Sequence, residues 1–275
     1  MVTSKSAKDK AALIAARGVD EHGYVVNPCS VVFIAEEFET VIDGATEQLL
    51  LLFPQRIHSV YLYGSIARGD AVVGCSDLDM SIILHDAPSR DELAELHGLA
   101  DQIALHHTEI SKVDFDIGTL ADVLAKESFY SWQFWIKHCC CCIWGDDLAP
   151  RFAKLRPSSQ LGYAINADLP EQLSTYRKEL TTENAPLFGR AITKRLIRTL
   201  YGILADYHQR WQQPISQCGS MVALFRPEYA AHLRRAWPML QYGALVDVDE
   251  VVWLIDDFGA KVCEELQRVS TVQDR

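Results

Sequence analysis

The run DLDMSIIL, residues 77–84, alternates apolar side chains with mostly polar ones, which is the period of a half-buried β-strand. Leu78 and Met80 begin the apolar set, which is expected to face a core. Asp77 and Asp79 then share the opposite face. Two carboxylates this close repel each other and would take up protons in an apolar setting unless a cation neutralises them. The pattern predicts a strand that presents a cation site.

A Gly-Ser step follows another strand pattern upstream. The segment SVYLY, residues 59–63, is apolar and rich in β-formers, and Gly64 and Ser65 come directly after it. A backbone without a Cβ can approach a phosphate, and a hydroxyl can donate to it. Ser76 supplies a second hydroxyl beside the acids. Since Mg²⁺ prefers oxygen ligands and usually brings phosphates with it, these residues favour a nucleotide–Mg²⁺ site.

The remaining periodicities divide the chain into two parts. Residues 31–53 show helical spacing, and Ser89 with Glu92 forms a capping box ahead of another helical pattern. The segment KVDFDI, residues 112–117, alternates as a strand. After Gly145 only helical periods follow.

These patterns predict an α+β protein, in which a mixed sheet flanked by helices is followed by an all-α domain. The predicted boundaries are 31–148 for the mixed domain and 149–275 for the helical domain, with 1–30 unassigned.

Composition limits the classes of function. The 275 residues carry 37 acidic and 26 basic side chains, a net charge of -11, which argues against a long nucleic acid as the partner. No apolar run is long enough to span a membrane, so a cytoplasmic protein without a membrane partner is expected. Four of the eight cysteines are consecutive, Cys139 to Cys142, which favours reduced thiols over disulfides or zinc ligands.

The residues of the two predicted strands together resemble a known signature. Gly64-Ser65, eleven intervening residues and Asp77-Leu78-Asp79 are similar to the motif of the DNA polymerase β-type nucleotidyltransferase superfamily. This resemblance implies that Asp77 and Asp79 hold two Mg²⁺ ions as catalytic ligands. It also implies nucleotide-binding residues that contact ATP, which are Gly64, Ser65, Arg68, Ser76 and a tyrosine of the helical domain.

The family's third carboxylate is expected on the strand of residues 112–117. Asp114 and Asp116 share one face by parity, so periodicity does not choose between them. The sequence DIGTL at Asp116 resembles the family pattern better than DFDIG at Asp114. Asp116 is therefore expected to complete the metal site and to accept the proton of the attacking hydroxyl, while Asp114 remains the alternative.

The second half resembles the helical domain of the aminoglycoside adenylyltransferases that modify streptomycin and spectinomycin. Residues 196–204, 226–237 and 251–266 carry this resemblance, and Tyr229 matches a tyrosine that contacts ATP. The chain departs from that family at two places. Gln217 stands where a lysine is expected, and Phe188 stands where an acid grips the cationic drug. Lys194, Arg195 and Arg198 are expected to form an exposed basic helix face, with substitution for the lysine by one of them as the alternative. Glu183 is the nearest acid in sequence to Phe188.

The expected function is transfer of AMP from ATP to a hydroxyl of a small-molecule acceptor, with release of pyrophosphate. The departure at Phe188 predicts an acceptor less cationic than streptomycin or spectinomycin. Two alternatives remain open at this point: adenylylation of a protein partner, as in toxin–antitoxin systems, and an inactive nucleotide-binding module.

Overall fold

The structure is a computed structural model that describes residues 17–211, 214–241 and 243–273. The chain divides into two compact units. One unit is Val26–Leu155, and the other runs from Arg156 onward and includes the described residues before Val26. Within the described ranges, no helix combines the length and the apolar character that a membrane crossing requires.

A mixed sheet forms the centre of the unit Val26–Leu155, as predicted. Its four strands lie in the order β3-β2-β1-β4. Strand β1 pairs antiparallel with β2 and with β4, whereas β2 and β3 are parallel. The strands are β1 (Ile57–Tyr63), β2 (Leu78–Leu84), β3 (Val113–Thr119) and β4 (Cys141–Gly145).

Five α-helices surround this sheet. They are α1 (Glu36–Leu52), α2 (Gly64–Arg68), α3 (Arg90–His106), α4 (Leu120–Leu124) and α5 (Trp132–Cys139), with 3-10 turns at Val31–Phe33, Lys126–Ser128 and Ala149–Arg151. The predicted capping box is confirmed: Ser89 accepts from the Glu92 N–H, and the Ser89 N–H donates to Glu92 at 2.7 Å. Helix α3 is the crossover that a parallel β2–β3 pair requires.

The two faces of β2 differ as the alternation predicts. Leu78 and Met80 lie with Ile82 and Leu84 in the core that also contains buried residues of α1 and α3. On the opposite face, Ile83 joins a second core. Asp79 and Ser81 share this second face with Ile83, so β2 presents the acid toward the side of the sheet that α5 covers.

The second unit is helical, which confirms the prediction for this half of the chain. No strand element occurs among its described residues; an isolated bridge joins Val19 and Val25. Its α-helices are α6 (Ser159–Ala164), α7 (Leu169–Glu179), α8 (Ala185–Ile203), α9 (Ala205–His208), α10 (Ile215–Phe225), α11 (Ala230–Ala236), α12 (Val248–Trp253) and α13 (Ala260–Gln273). A π-helix, Leu254–Gly259, joins α12 to α13, and 3-10 turns lie at Pro227–Tyr229 and Trp237–Leu240.

Part of the segment left unassigned from sequence packs with the helical unit. The Trp211 N–H donates to the Arg17 carbonyl at 2.9 Å. The Arg156 guanidinium lies 5.0 Å from the centre of the Tyr24 ring. Residues 1–16 lie outside the described residues.

Strand β4 was not predicted, because the cysteine run lacks a clear period. Helix α5 ends at Cys139, Cys140 follows it, and Cys141 opens the strand. The Asn27 side chain donates to the Cys140 carbonyl at 2.6 Å, and the Cys29 thiol donates to the Cys139 carbonyl at 3.0 Å. All eight cysteines lie within the described residues and are free thiols.

Candidate active site

The two predicted motifs meet where β1 ends and β2 begins. Tyr63, the last residue of β1, is the cross-strand partner of Asp79. Gly64 follows immediately and starts α2, so the Gly-Ser step lies beside the second acid of the Asp-x-Asp pair. Asp77 precedes the first residue of β2 and is held by the loop that leads into the strand.

Gly64 occupies a position that only glycine fits. Its φ is +75°, in the left-handed region that side chains other than glycine rarely adopt. A Cβ at this position would also overlap the Asp79 carboxylate. The Gly64 backbone therefore packs directly against the acid, and the two motifs form one structural unit.

Asp79 lies in an environment that disfavours its charge. Burial raises the pKa of Asp79 to about 7, and the neighbouring carboxylates of Asp114 and Asp77 add to the shift. Lys112 and Arg68 oppose the shift without cancelling it. A group in this state is stabilised by a proton or by an additional cation.

The register of the parallel strands decides which acid of β3 is closest to Asp79. Asp114 is its direct partner, whereas Asp116 is the partner of Ser81. Among the neighbouring charges, Asp114 contributes most to the raised pKa of Asp79. The structure therefore brings Asp77, Asp79 and Asp114 together.

Asp116 lies two residues further along β3, about 7 Å from Asp114 by the rise of a strand. It is exposed, and its contact is with Tyr63. Burial raises the pKa of Tyr63, and the charge and hydrogen bond of Asp116 contribute further. The Tyr63 ring in turn packs edge-on against Trp135, with centroids 4.8 Å apart.

Ser111 and Lys112, which the sequence patterns did not single out, contact the acids Asp77 and Asp114. The Ser111 hydroxyl lies within hydrogen-bond distance of the Asp77 carboxylate and of the Cys75 carbonyl, 3.1 Å away. Lys112 Nζ lies 2.5 Å from Asp114 Oδ2 and 3.6 Å from Asp77 Oδ2. Neither Ser111 nor Lys112 is close to Asp77 in sequence. They contact Asp77 only because β3 aligns with β2, which no local motif reveals.

The backbone fixes the same alignment. The Ser111 N–H donates to the Ser76 carbonyl, and the Leu78 N–H donates to the Lys112 carbonyl, each at 2.9 Å. Asp77 and Lys112 therefore face each other at the entrance to the two strands.

The acids fit a hard divalent cation in the type of donor, since Mg²⁺ prefers carboxylate oxygens and the site carries uncompensated negative charge. Across the described ranges, however, no three His, Cys, Asp or Glu side chains are grouped closely enough to hold a metal ion. Lys112 instead lies between two of the carboxylates. The type of donor suits a metal ion, and Lys112 supplies part of the counter-charge.

Arg68 and Ser76, two of the predicted nucleotide contacts, lie between the motifs, Arg68 as the last residue of α2 and Ser76 in the loop before Asp77. Arg68 forms an ion pair with Asp70 at 3.2 Å. The Ser76 hydroxyl accepts the Val72 N–H at 2.8 Å and so closes the turn that precedes Asp77. With Gly64 and Ser65, these residues surround the entrance to β2.

Tyr229, the predicted nucleotide contact from the second unit, is buried with 5% of its surface exposed. Its hydroxyl donates to Glu265 at 3.4 Å, and Glu265 forms a two-pronged ion pair with Arg226 at 2.7 and 2.9 Å. Burial raises the pKa of Tyr229 to about 12, with a further contribution from Glu265. The hydroxyl is thus engaged within the helical unit.

Phe188 lines a cavity of about 470 Å³ in the helical unit. It packs edge-on against Tyr176, with ring centroids 4.7 Å apart. The other lining residues are Asp168, Glu171, Gln172, Thr175 and Glu179. The acids beside Phe188 therefore come from α7 and its N-cap, and Glu183, the acid suggested by sequence proximity, is not among them.

Arg195 is one of the cations considered as a substitute for the missing lysine. Its Nη2 lies 2.5 Å from Asp168 Oδ1 and 3.2 Å from the Ile165 carbonyl. Arg195 is therefore occupied by contacts inside its own unit.

Comparisons with known proteins agree with this fold. The nucleotidyltransferase domain family matches residues 44–129, which include both motifs and β3. A solved structure of a spectinomycin adenyltransferase from Enterococcus faecialis, with ATP and spectinomycin, is similar with a TM-score of 0.54. It shares 13% identity and is covered over 98% of its length by 84% of this chain. No curated protein sequence matches the chain.

The family match and the fold point to the same class. The matched region contains the Gly-Ser step, Asp77, Asp79 and Asp114, which the structure groups at one end of β2. Residues 44–129 match the nucleotidyltransferase domain family, and in fold the chain resembles the spectinomycin adenyltransferase.

Proposed function

We propose that the protein transfers AMP from ATP to a hydroxyl group of a small-molecule acceptor and releases pyrophosphate. The observation that carries this proposal is the packing of Gly64 against Asp79 within a group of three carboxylates. This arrangement combines a surface for phosphates with a surface for cations. Both are required for nucleotidyl transfer.

Asp77, Asp79 and a third acid would hold Mg²⁺. When bound, Mg²⁺ would neutralise charge on the triphosphate and stabilise the charge that develops on its oxygens. The raised pKa of Asp79 supports this role, since an acid that is costly to ionise alone gains from a cation.

We assign the third ligand to Asp114, because the register places it opposite Asp79. The same residue would then accept the proton of the attacking hydroxyl. Asp116, which the family pattern favours, is the alternative for both roles. Its position beside Tyr63 suits a group that orients the aromatic wall of the site.

Gly64 and Ser65 would hold the phosphates. They form the first turn of α2, where backbone N–H groups have no partner within the helix. Arg68 adds positive charge at the end of the same helix. Pyrophosphate would leave against this surface, whose donors are already oriented by the fold.

The acceptor site is proposed in the helical unit. The cavity beside Phe188 joins two aromatic rings with the carboxylates of Glu171 and Glu179, a combination that suits a ligand with both an apolar face and an amino group. The spectinomycin adenyltransferase of similar fold supports ATP as donor and a small molecule as acceptor.

The experiment is a pyrophosphate-release screen across nucleoside triphosphates and hydroxyl acceptors, with products identified by mass spectrometry. Asp79→Asn is the inactive variant, and Asp101→Asn, an exposed acid of α3, is the control for loss of charge. The proposal expects a product heavier by AMP that appears with wild type and with Asp101→Asn only. Pyrophosphate release that requires a protein fraction would support adenylylation of a protein, and equal signals from wild type and Asp79→Asn would contradict nucleotidyl transfer.

A further inference from the structure

Lys112 lies beside the start of β3, where the pairing of β2 with β3 brings the carboxylates of Asp77 and Asp114 close together. On β3 and its entrance, Lys112 and Asp114 share a face, and Lys112 faces Asp77 across the parallel pair. Its ammonium lies 2.5 Å from Asp114 and 3.6 Å from Asp77. One cation therefore contacts two of the three proposed metal ligands.

The two carboxylate oxygens of Asp77 have different partners. The Ser111 hydroxyl lies against Oδ1 of Asp77, and Lys112 contacts the other oxygen, Oδ2. Asp114 also meets Lys112 through a single oxygen. The ammonium thus lies against one oxygen of each carboxylate, so a second cation at those oxygens would compete with it.

Lys112 is also able to leave. Its side chain is 56% exposed, and a lysine ammonium sits on a flexible four-carbon stem. A divalent cation interacts with the same oxygens more strongly, because it carries twice the charge.

We infer that Lys112 is a positioning residue that serves as an internal counter-cation for Asp77 and Asp114, and that a divalent cation must displace it to bind. This inference rests on the proposed metal-binding role of the acids. Lys112 holds the carboxylates together in the metal-free protein and competes with the metal for them. It thereby sets the metal affinity of the site.

If Lys112 competes with the metal, its replacement should increase the metal affinity of the site, whereas structural damage would decrease it. Loss of Lys112 leaves the carboxylates with more uncompensated charge, so Mn²⁺ alone should bind Lys112→Met about two- to fivefold more tightly than wild type, given the worth of exposed ion pairs. A substitution that merely disturbed the strands would weaken binding. The metal-free variant should meanwhile melt at a lower temperature than wild type.

The experiment measures free Mn²⁺ by electron paramagnetic resonance, without nucleotide and at constant ionic strength. Lys112→Gln is measured beside Lys112→Met in case the apolar side chain impairs folding, and Lys112→Arg, which keeps a cation, should retain the wild-type affinity. Lys126→Met removes an equal charge from an exposed site and should also leave affinity unchanged. Asp79→Asn locates the Mn²⁺ at these acids by weakening its binding.

The outcomes separate the two proposals. Tighter Mn²⁺ binding by Lys112→Met and Lys112→Gln, with wild-type behaviour in Lys112→Arg and Lys126→Met, supports the inference. Equal or weaker binding by the folded Lys112 variants, while wild type binds Mn²⁺, overturns the role of Lys112 and leaves the proposed function standing. If neither wild type nor Lys112→Met binds Mn²⁺, both the inference and the metal-binding role fail.

Discussion

Asp114 is the direct partner of Asp79 across the parallel strands β2 and β3. A shift of one residue in this register would put Phe115 or Val113 in that place and turn the acids to opposite faces. The position of the site therefore depends on strand alignment as much as on the Asp-x-Asp motif. It also makes the third acid open to a direct test.

Asp114→Asn should slow the chemical step more than Asp116→Asn does. Only Asp114 lies opposite Asp79, whereas Asp116 contacts Tyr63. Single-turnover kinetics with ATP and an accepted hydroxyl compound measure the step directly. The reverse ranking would return the role to Asp116.

Asp77→Asn and Asp79→Asn should each reduce turnover by about 10²-fold or more, because each removes a charged oxygen from a site that stabilises transition-state charge. Binding of Mg-ATP should weaken in both variants. Circular dichroism should match wild type, since asparagine preserves the volume. Near-normal turnover in either variant would contradict the assignment of the site.

Asp79 should make the metal-free protein less stable as the pH rises. The folded carboxyl ionises near pH 7, and the unfolded one near 3.8, so the unfolded state loses its proton first. The destabilisation is absent below about pH 4, grows through the interval and is complete above pH 7.

Melting with a chelator therefore distinguishes Asp79→Asn from wild type. At pH 8 the variant should be more stable by about 1–3 kcal/mol, while near pH 4 the difference should largely vanish. A difference that does not change with pH would mean that burial of the charge is not its cause.

Gly64→Ala should destabilise the protein by about 1–3 kcal/mol and lower its turnover, because the φ is positive and the added methyl displaces Asp79. Gly44→Ala is the matched control. A Cβ at Gly44 meets nothing within 4 Å, and alanine favours the helix α1, so this change should stabilise by about 0.5–1 kcal/mol. Equal effects of the two substitutions on turnover would show that Gly64 has no special role.

Streptomycin and spectinomycin should be poor acceptors. The resemblance to the aminoglycoside adenylyltransferases implies an acid for the cationic drug at the position of Phe188. One charge-assisted contact is worth about 1.5–3 kcal/mol, at least tenfold in affinity. Pyrophosphate release measured with each drug tests this expectation. Efficient adenylylation at micromolar drug would assign the grip to another acid, with Glu171 and Glu179 of the cavity as the first candidates.

The sequence predicted the local structure that depends on continuous motifs. The alternation in β2 and the capping box of α3 were correct because each depends on a few neighbouring residues. Lys112 and Ser111 could not be found in this way. They reach Asp77 only through the parallel register, which is fixed by α3 and the whole sheet.

The strand β4 was missed for a different reason. Cysteine is small and apolar and suits a helix end, a turn or an edge strand equally well, so four in a row carry no period. The cysteine segment becomes a strand because β4 pairs with β1, and this pairing depends on the tertiary structure rather than on the local sequence.

Because Cys29 contacts the end of α5, the reactivity of its thiol reports local opening of this region. Its thiol donates to the Cys139 carbonyl, and burial raises its pKa to about 12, so an alkylating reagent that needs the thiolate reacts with it slowly in the closed protein. Cys75 is exposed and reports the intrinsic speed of the same reagent. The alkylation rates of Cys29 and Cys75 can be measured on separate peptides. Their ratio therefore reports how often the junction between α5 and β4 opens locally, with no label added to the chain.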